Sequence, residues 1–432
     1  MADALGVSIC TWNVATIDPP EQLSQLLERL LSFDPDVCII GLQEVSSKPH
    51  EIVQAAFVDD PWTEAMDAVM KPRHLIQLKS TRLQGLLLVV YTKLHHLPFM
   101  HNLMANVTRT GIAGLWGNKG SATLRMDWYG RSLCFSNWHL TPHADQWDKR
   151  CKETQQIFED QNFNIGNTMN IMDHSFVFIF GDLNFRLEGM SREKALNHLV
   201  KNELEPLKEK DQLRITLRDR DEFEGYAEGE ISFPPTYKFD PGTHDYDTSP
   251  KQRVPAWTDR ILWKEDTGTD PILKQLEYHS HPDMDHSDHR PVSAYFQLKL
   301  PVDGATPLVR FDPVRTLRCG QNAVCSYSIA QDTKTSSWDW LGLYSLEFSS
   351  IERDYKTYVW ADARSASKQS GKYQVTFQAE YLPDDCYDKF VLCYYSSVME
   401  CTLGVSAPFK FISKTTEMEM SEFQYWKPVS ID

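Results

Sequence analysis

The sequence predicts an α/β fold with a second, smaller all-β domain behind it. Three observations carry that expectation. Short apolar runs, among them Val7–Trp12, Val37–Leu42, Leu86–Tyr91 and Phe176–Phe180, read as strands, the last of them buried on both faces. Leucines at helical spacing lie between the first two runs, which makes a β–α–β unit. Beyond Pro301 the pattern changes to short aromatic stretches separated by polar turns, as in a small antiparallel sandwich.

Composition bounds what the chain can do. Its 432 residues leave room for one large domain and a small one, and 41% hydrophobic content supplies a core. A net charge of -16 argues against a nucleic-acid binder, or a protein held on anionic lipid by bulk charge. An anionic substrate would need a local cluster of Lys and Arg. The 9 Cys are scattered, without a Cys-x-x-Cys pair, so free thiols in a reducing compartment are expected. No basic stretch precedes an apolar core at the N-terminus, so no secretory signal is expected. No run approaches the ~18 apolar residues of a membrane span.

Taken in order, Val7–Trp12 ends at Asn13, and Asp18-Pro-Pro should cap and open a helix. Leu23, Leu26, Leu27, Leu30 and Leu31 give that helix one buried face, and Asp34-Pro-Asp stops it. Val37–Leu42 runs into Gln43-Glu44. A Glu directly after a buried strand, matched by Asn13, reads as a ligand for a hard cation. The loop Arg109–Gly120 is rich in glycine, so its backbone can approach a ligand closely. Asn118 and Lys119 offer it an amide and a point charge suited to phosphate. Leu115 and Trp116 either plug the core or dip into a bilayer, and the sequence leaves both open.

Ser121–Trp128 and Ser132–Leu140 flank Tyr129-Gly130 as a hairpin, whose second strand delivers Asn137 and His139. A polar helix is expected around Asp148–Phe163. Phe176–Phe180 then runs through Gly181 into Asp182, Asn184 and Arg186, which alternate and so share one wall if the segment is extended. Strand ends of this kind carry the chemistry of open α/β sheets. Residues 190–222 look helical, charged and solvated. Tyr237, Lys238, Lys251 and Arg253 form a basic patch in an acidic protein. Asp259 and Arg260 precede another apolar run, and Asp288 and His289 precede the last strand, Val292–Leu300.

These motifs together resemble the inositol polyphosphate 5-phosphatase family. The carriers are Gly181-Asp-Leu-Asn-Phe-Arg186, Pro255-Ala-Trp-Thr-Asp-Arg-Ile-Leu262 and Ser287-Asp-His-Arg-Pro-Val292. Ile179 stands where the family usually has Trp, and Thr258 where it usually has Cys; neither position is expected to carry chemistry. The resemblance implies a deoxyribonuclease-I-like four-layer α/β sandwich over 1–300. Pro301–Pro313 suggests a linker, set at 301–317. Trp338–Tyr344, Asp354–Trp360, Tyr381–Pro383 and Phe390–Tyr395 resemble strands of a SKICH domain, an immunoglobulin-like β-sandwich placed at 318–415, with a tail at 416–432.

What the resemblance implies about chemistry is specific. Glu44 would be the principal Mg²⁺ ligand, with Asn13 beside it and Asp288 near the metal. Asp182 would orient and deprotonate the attacking water. Asn184, His139 and Asn118 would hold the phosphoryl group. His289 would contact the scissile phosphate, with Asp259 fixing its tautomer and charge. Lys119 and Arg260 would add positive potential, and Tyr237, Lys238, Lys251 and Arg253 would take a 4-phosphate. The implied substrates are phosphatidylinositol 3,4,5-trisphosphate and 4,5-bisphosphate, with soluble inositol phosphates beside them. A protein partner is expected through the SKICH domain. The expected protein is monomeric and cytoplasmic, peripheral on endoplasmic reticulum and plasma membrane, with no nucleic-acid partner. Two rivals stand beside this reading: a metal-dependent endonuclease of the same fold, and a non-catalytic adaptor.

Overall fold

A computed structural model describes residues 4–46, 60–111, 119–166, 169–266, 268, 272–314, 317–361, 372–383 and 388–412. Two units make up the chain. One is built on Met1–Arg73, Gln77–Thr92 and Asn102–Ala305, the other on His74–Ile76, Lys93–His101 and Thr306–Asp432.

The strands of the N-terminal half are β1 (Ala4–Asn13), β2 (Val37–Gln43), β3 (Leu75–Leu83), β4 (Leu86–Lys93), β5 (Met100–Arg109) and β6 (Gly120–Trp128). They continue with β7 (Arg131–His139), β8 (Phe176–Asp182), β9 (Ala227–Glu228), β10 (Asp259–Glu265), β11 (Leu273–Ser280) and β12 (Val292–Lys299). They form two six-stranded sheets, ordered β11-β12-β1-β2-β4-β3 and β5-β6-β7-β8-β10-β9.

The central strand explains the layering. Every residue of β8 is buried, because both its faces are covered. Phe178 stacks on Phe135 of β7 and meets Phe296 of the other sheet edge-on, with ring centroids 5.0 Å apart. Val177 and Ile179 point the opposite way, into a cluster with Ile157 and Leu213 from the helices Trp147–Asp160 and Gln212–Asp219. Each such side chain contributes about 1.5–3 kcal/mol by leaving water. On the far side, Ser8 donates to the Leu30 carbonyl of helix α1 (Leu23–Leu31), 2.9 Å away. The layers therefore run helix, sheet, sheet, helix.

Between the sheets, Gly41 of β2 is required by space. A Cβ there would lie 2.5 Å from the Phe180 ring and 2.9 Å from the Asn137 amide carbon. That close approach lets Asn137 donate to the carbonyls of Leu42 and Leu87 while accepting from Gln43. An amide thus ties the sheets together with its hydrogen bonds made, as a buried polar group must.

Register then fixes where the polar residues emerge. β1 and β2 are parallel, with Asn13 opposite Gln43. β7 and β8 are parallel, with His139 opposite Asp182, and β10 starts at Asp259 opposite Asp182. β12 starts opposite Thr11 near the end of β1. The ends of β1, β2, β7 and β8 and the beginnings of β10 and β12 therefore share one rim.

Some expectations change. Helix α1 starts at Leu23, and Asp18 does not cap it. Asp18 and Pro19 each precede a proline, which disfavours helical backbone. The helix Pro61–Met70 and strands β3, β5 and β11 carry no strong apolar run and were not legible.

In the second unit the strands are β13 (Val309–Phe311), β14 (Leu317–Arg318), β15 (Ala323–Ile329), β16 (Trp340–Ser345), β17 (Thr357–Trp360), β18 (Lys372–Phe377), β19 (Phe390–Ser396), β20 (Cys401–Val405) and β21 (Phe411–Ile412). Antiparallel sheets β13-β15-β18 and β17-β16-β19-β20 form an all-β body, with β14 and β21 paired in parallel. β13 falls in the stretch expected to be a linker, yet it pairs with β15 through Val309–Phe311. Val309 is buried, so the domain starts inside that stretch. Ala379–Tyr381 is a 3₁₀ turn leading into Leu382, not a strand.

Candidate active site

The rim gathers a connected set of polar side chains. Asp182 sits at its centre, 2% exposed. Its Oδ2 accepts from Asn13 Nδ2 at 3.0 Å and lies 3.3 Å from His139 Nε2 and 3.9 Å from His289 Nε2. Its Oδ1 accepts from the Asn184 backbone N–H at 3.1 Å. Burial alone would raise the Asp182 pKa. The His139 hydrogen bond and the charges of His289, His139 and Lys119 outweigh it and hold the carboxyl far below the usual range.

Gly181 makes this placement possible. Its φ is +139°, and a Cβ would lie 2.0 Å from the Trp138 carbonyl oxygen. Left-handed backbone also clusters here at non-glycine residues: Ala15, Thr16, Glu44 and Asn184 all have φ between 45° and 63°. Strained backbone of this kind collects at functional sites.

On one side of Asp182 stand Glu44, His139 and Lys119. Glu44 Oε1 is 3.7 Å from His139 Nε2, and its side chain is 42% exposed. Lys119 Nζ rests against His139 Nε2. Burial and the Lys119 charge push the His139 pKa below its ordinary value. Burial likewise lowers Lys119. On the other side His289 Nδ1 is 2.9 Å from Asp259 Oδ2. Burial opposes a charge on His289, but Asp259 and Asp182 prevail and raise it to about 9. The imidazolium is therefore paired with a buried carboxylate on one nitrogen and faces Asp182 with the other.

Asn184 leaves the strand through left-handed backbone but keeps the alternation, since Leu183 and Phe185 are both buried in the outer cluster. Its Nδ2 donates to the Leu140 carbonyl at 3.0 Å, and Arg186 donates to its Oδ1. The Arg186 guanidinium lies 4.3 Å from the Tyr237 ring centroid, and that ring is 4.5 Å from the His289 ring. Tyr237 is thus wedged between a cation and the imidazole. Lys238 pairs with Asp288 at 2.5 Å. Buried Asp247 accepts from the backbone N–H groups of Ser249 and Arg253, shaping the loop that holds Lys251 and Arg253.

One expected role changes. Arg260 is 0% exposed and bound by Asp211 and Glu228. As neighbours on β10, Asp259 and Arg260 point to opposite faces, so Arg260 is a structural cation and not a phosphate contact. Asp288 Oδ2 accepts from Lys238 Nζ, which ties this expected neighbour of the metal to the basic patch. Leu115, Trp116 and Asn118 lie outside the described residues. The sequence also missed contributors. Thr236 and Thr258 donate to Asp259 Oδ2 at 2.8 and 2.9 Å. Ser287 donates to the Asn13 carbonyl and accepts from the His289 N–H. Each sits inside or beside a motif, which was the available signal.

The donor set fits a hard divalent cation. Glu44 offers an oxygen open to solvent near the ionised Asp182, and Asn13 presents Nδ2 to Asp182 while its Oδ1 accepts from the Ala15 N–H. The buried trio Asp182, Asp259 and His289 also brings ligand-type atoms within 4.8 Å of one another. Its His289 Nδ1 is committed to Asp259, which leaves the Glu44 side as the better cation site.

Residues 10–295 match the model of the Endonuclease/Exonuclease/phosphatase family 2, and residues 309–411 match the SKICH domain. Inositol polyphosphate 5-phosphatase K of Mus musculus is 35% identical over 421 residues, covering 94% of this chain and 90% of that protein. The chain belongs to the inositol polyphosphate 5-phosphatase family. Another relative, phosphatidylinositol 4,5-bisphosphate 5-phosphatase A of Mus musculus, is 38% identical over 96% of this chain. The chain spans 42% of that relative's length. Among solved structures, the inositol polyphosphate 5-phosphatase domain of Spsynaptojanin, in complex with inositol (1,4)-bisphosphate and calcium ion, is similar at 30% identity. Its TM-score is 0.61, over 69% of this chain and 85% of that one. Cimex nitrophorin, at 23% identity and TM-score 0.54, shares the fold alone. Within the 5-phosphatase family, Ile179 is a silent departure because it packs in the outer cluster. Thr258 is not silent, because its hydroxyl touches the Asp259–His289 pair.

Proposed function

We propose that this chain is a Mg²⁺-dependent phosphatase that removes the 5-phosphate from phosphoinositides, acting on phosphatidylinositol 4,5-bisphosphate and 3,4,5-trisphosphate. The observation that carries the reading is the convergence on Asp182 of Asn13, His139 and His289, each from a different strand end. Phosphate monoesters hydrolyse among the slowest of reactions, and enzymes accelerate them by up to ~10²¹. Positioning and electrostatics must supply most of that.

Glu44 and Asn13 would hold the cation, with Asp182 beside them. A divalent ion held there would supply Lewis-acid stabilisation of phosphoryl and leaving-group charge. Asp182 orients the attacking water. Its depressed pKa makes it a weak base, so alignment counts for more than proton affinity. His289, held protonated by Asp259, donates charge to the scissile phosphate. Lys119 and His139 add donors on the opposite side. Release of inorganic phosphate from a phosphoinositide panel, read with malachite green, tests the assignment. Activity confined to 5-phosphorylated lipids supports it; no release from any of them, with Mg²⁺ present, rejects it.

The basic patch is assigned to a 4-phosphate. Lys238→Ala with Arg253→Ala should weaken binding of lipids carrying a 4-phosphate by about 1.5–3 kcal/mol per charged hydrogen bond lost. The same pair should spare substrates without that phosphate. An equal rise in KM on both substrate classes would refute the clamp.

The second unit is assigned to location through a protein partner. Its support is a run of exposed rings: Trp338 is 67% and Trp360 48% exposed, with Tyr355 and Tyr358 beside them. Aromatic rings of this kind are enriched at interface anchors. Trp338→Ala with Trp360→Ala should redistribute the protein away from membranes in cells. Its kcat on a soluble short-chain phosphoinositide should stay within a few-fold. Unchanged location would sink the assignment.

A further inference from the structure

Thr258 stands where most members of the family are expected to carry cysteine, and its side chain is fully buried. Its Oγ1 lies 2.9 Å from Asp259 Oδ2 and 3.3 Å from His289 Nδ1, so one hydroxyl touches both members of the pair. Thr236 Oγ1 reaches the same Asp259 oxygen at 2.8 Å. We propose that Thr258 is a positioning residue that fixes the plane of the Asp259 carboxylate and, through it, the orientation of the His289 ring. Thr236 is the second anchor of that plane. The proposal rests on the reading of this rim as a phosphoryl-transfer site and adds a residue to it.

The geometry argues for orientation rather than simple satisfaction of a buried hydroxyl. Asp259 could rotate about its last side-chain bond. Two hydroxyls and His289 Nδ1 all meet its Oδ2, and Nδ1 also approaches Oδ1 at 3.2 Å. A carboxylate so held keeps the proton on Nδ1 and leaves Nε2 directed at Asp182, 3.9 Å away. Threonine suits the task because its branched Cβ restricts the hydroxyl to few rotamers. The Thr258 backbone is fixed independently, since its carbonyl accepts from the Leu183 N–H at 2.8 Å. Side-chain substitutions therefore report on the hydroxyl. A thiol at this place would be a weaker donor.

The test uses the full chain with Thr258→Val, Thr258→Ser and Thr258→Cys. On short-chain phosphatidylinositol 4,5-bisphosphate, Thr258→Val should lose at least about tenfold in kcat, the size of one hydrogen bond to a charged group. KM should stay within about twofold. Thr258→Ser should restore most of the loss, and Thr258→Cys should fall between. In ¹⁵N-histidine spectra, the His289 Nδ1 signal should shift in Thr258→Val and return in Thr258→Ser. Wild-type kcat in Thr258→Val, or equal losses in Thr258→Val and Thr258→Ser, overturns the proposal. Should Thr258→Val fail to fold, Thr258→Cys decides: wild-type kcat with an unmoved His289 signal overturns it. Should the wild type itself release no phosphate, the phosphatase reading fails on its own. The spectra then test positioning alone, and an unmoved His289 signal in folded variants overturns it.

Discussion

Asp182→Asn is expected to keep the fold and to lose at least about 10²-fold in kcat, the scale set by misplacing a reacting group. The substitution is nearly isosteric, and the amide oxygen can still accept from either Asn13 Nδ2 or the Asn184 N–H, though not from both. What it removes is a buried negative charge that His289, His139 and Lys119 all face. Water would lose the acceptor that aligns it. The His289 pKa should also fall, because Asp182 is one of the carboxylates, with Asp259 and Asp288, that raise it to about 9. Steady-state kinetics with NMR titration of His289 checks both parts. Turnover within a few-fold of wild type in a folded protein would remove Asp182 from the chemistry.

His289→Ala should be costly twice over. It deletes the cation expected against the scissile phosphate, a loss of about 10²–10³-fold in kcat if it resembles removal of one preorganised donor. It also leaves Asp259 buried and without its counter-charge, held only by the Thr236 and Thr258 hydroxyls. Breaking a buried pair from one side destabilises by about 3–5 kcal/mol. The linkage gives this a sign. The folded-state pKa of His289 lies above its usual 6.5, so its share of stability is full below that value. It fades as pH rises through about 9. Denaturant melts of wild type and His289→Ala should therefore differ most at pH 6 and converge above about pH 9. A constant difference across that range would show that His289 stabilises by packing alone.

Much of this site was legible because of how a two-sheet sandwich buries its strands. Strands covered on both faces, such as Phe176–Asp182, show as unbroken apolar runs, and the polar residue that ends each run marks the rim. Asn13, Glu44, His139 and Asp182 follow such runs, whereas Asp259 and His289 precede theirs and took their roles from the family resemblance. Strands with one polar face hide: Ala323–Ile329 and Lys372–Phe377 mix serine, lysine and glutamine with their apolar residues, so the second unit read as having fewer strands than it has. Alternation along a strand, applied at Asp259, would have sent Arg260 to the opposite face, where Asp211 and Glu228 hold it. The hydroxyls of Thr236 and Thr258 lie in or beside motifs but were missed for a different reason. A hydroxyl announces no chemistry, and the carboxylate it serves is identified only when the chain folds Thr236 onto Asp259.

The central claim is that this rim hydrolyses one particular phosphate, the one at the 5-position. Position of cleavage tests that more directly than rate. Phosphatidylinositol 4,5-bisphosphate incubated with the full chain and Mg²⁺ should yield phosphatidylinositol 4-phosphate as the sole lipid product, resolved by chromatography of the deacylated headgroup. The yield should collapse with Asp182→Asn. Phosphatidylinositol 5-phosphate as the product, or a 4-phosphate product formed equally well by Asp182→Asn, would contradict the account.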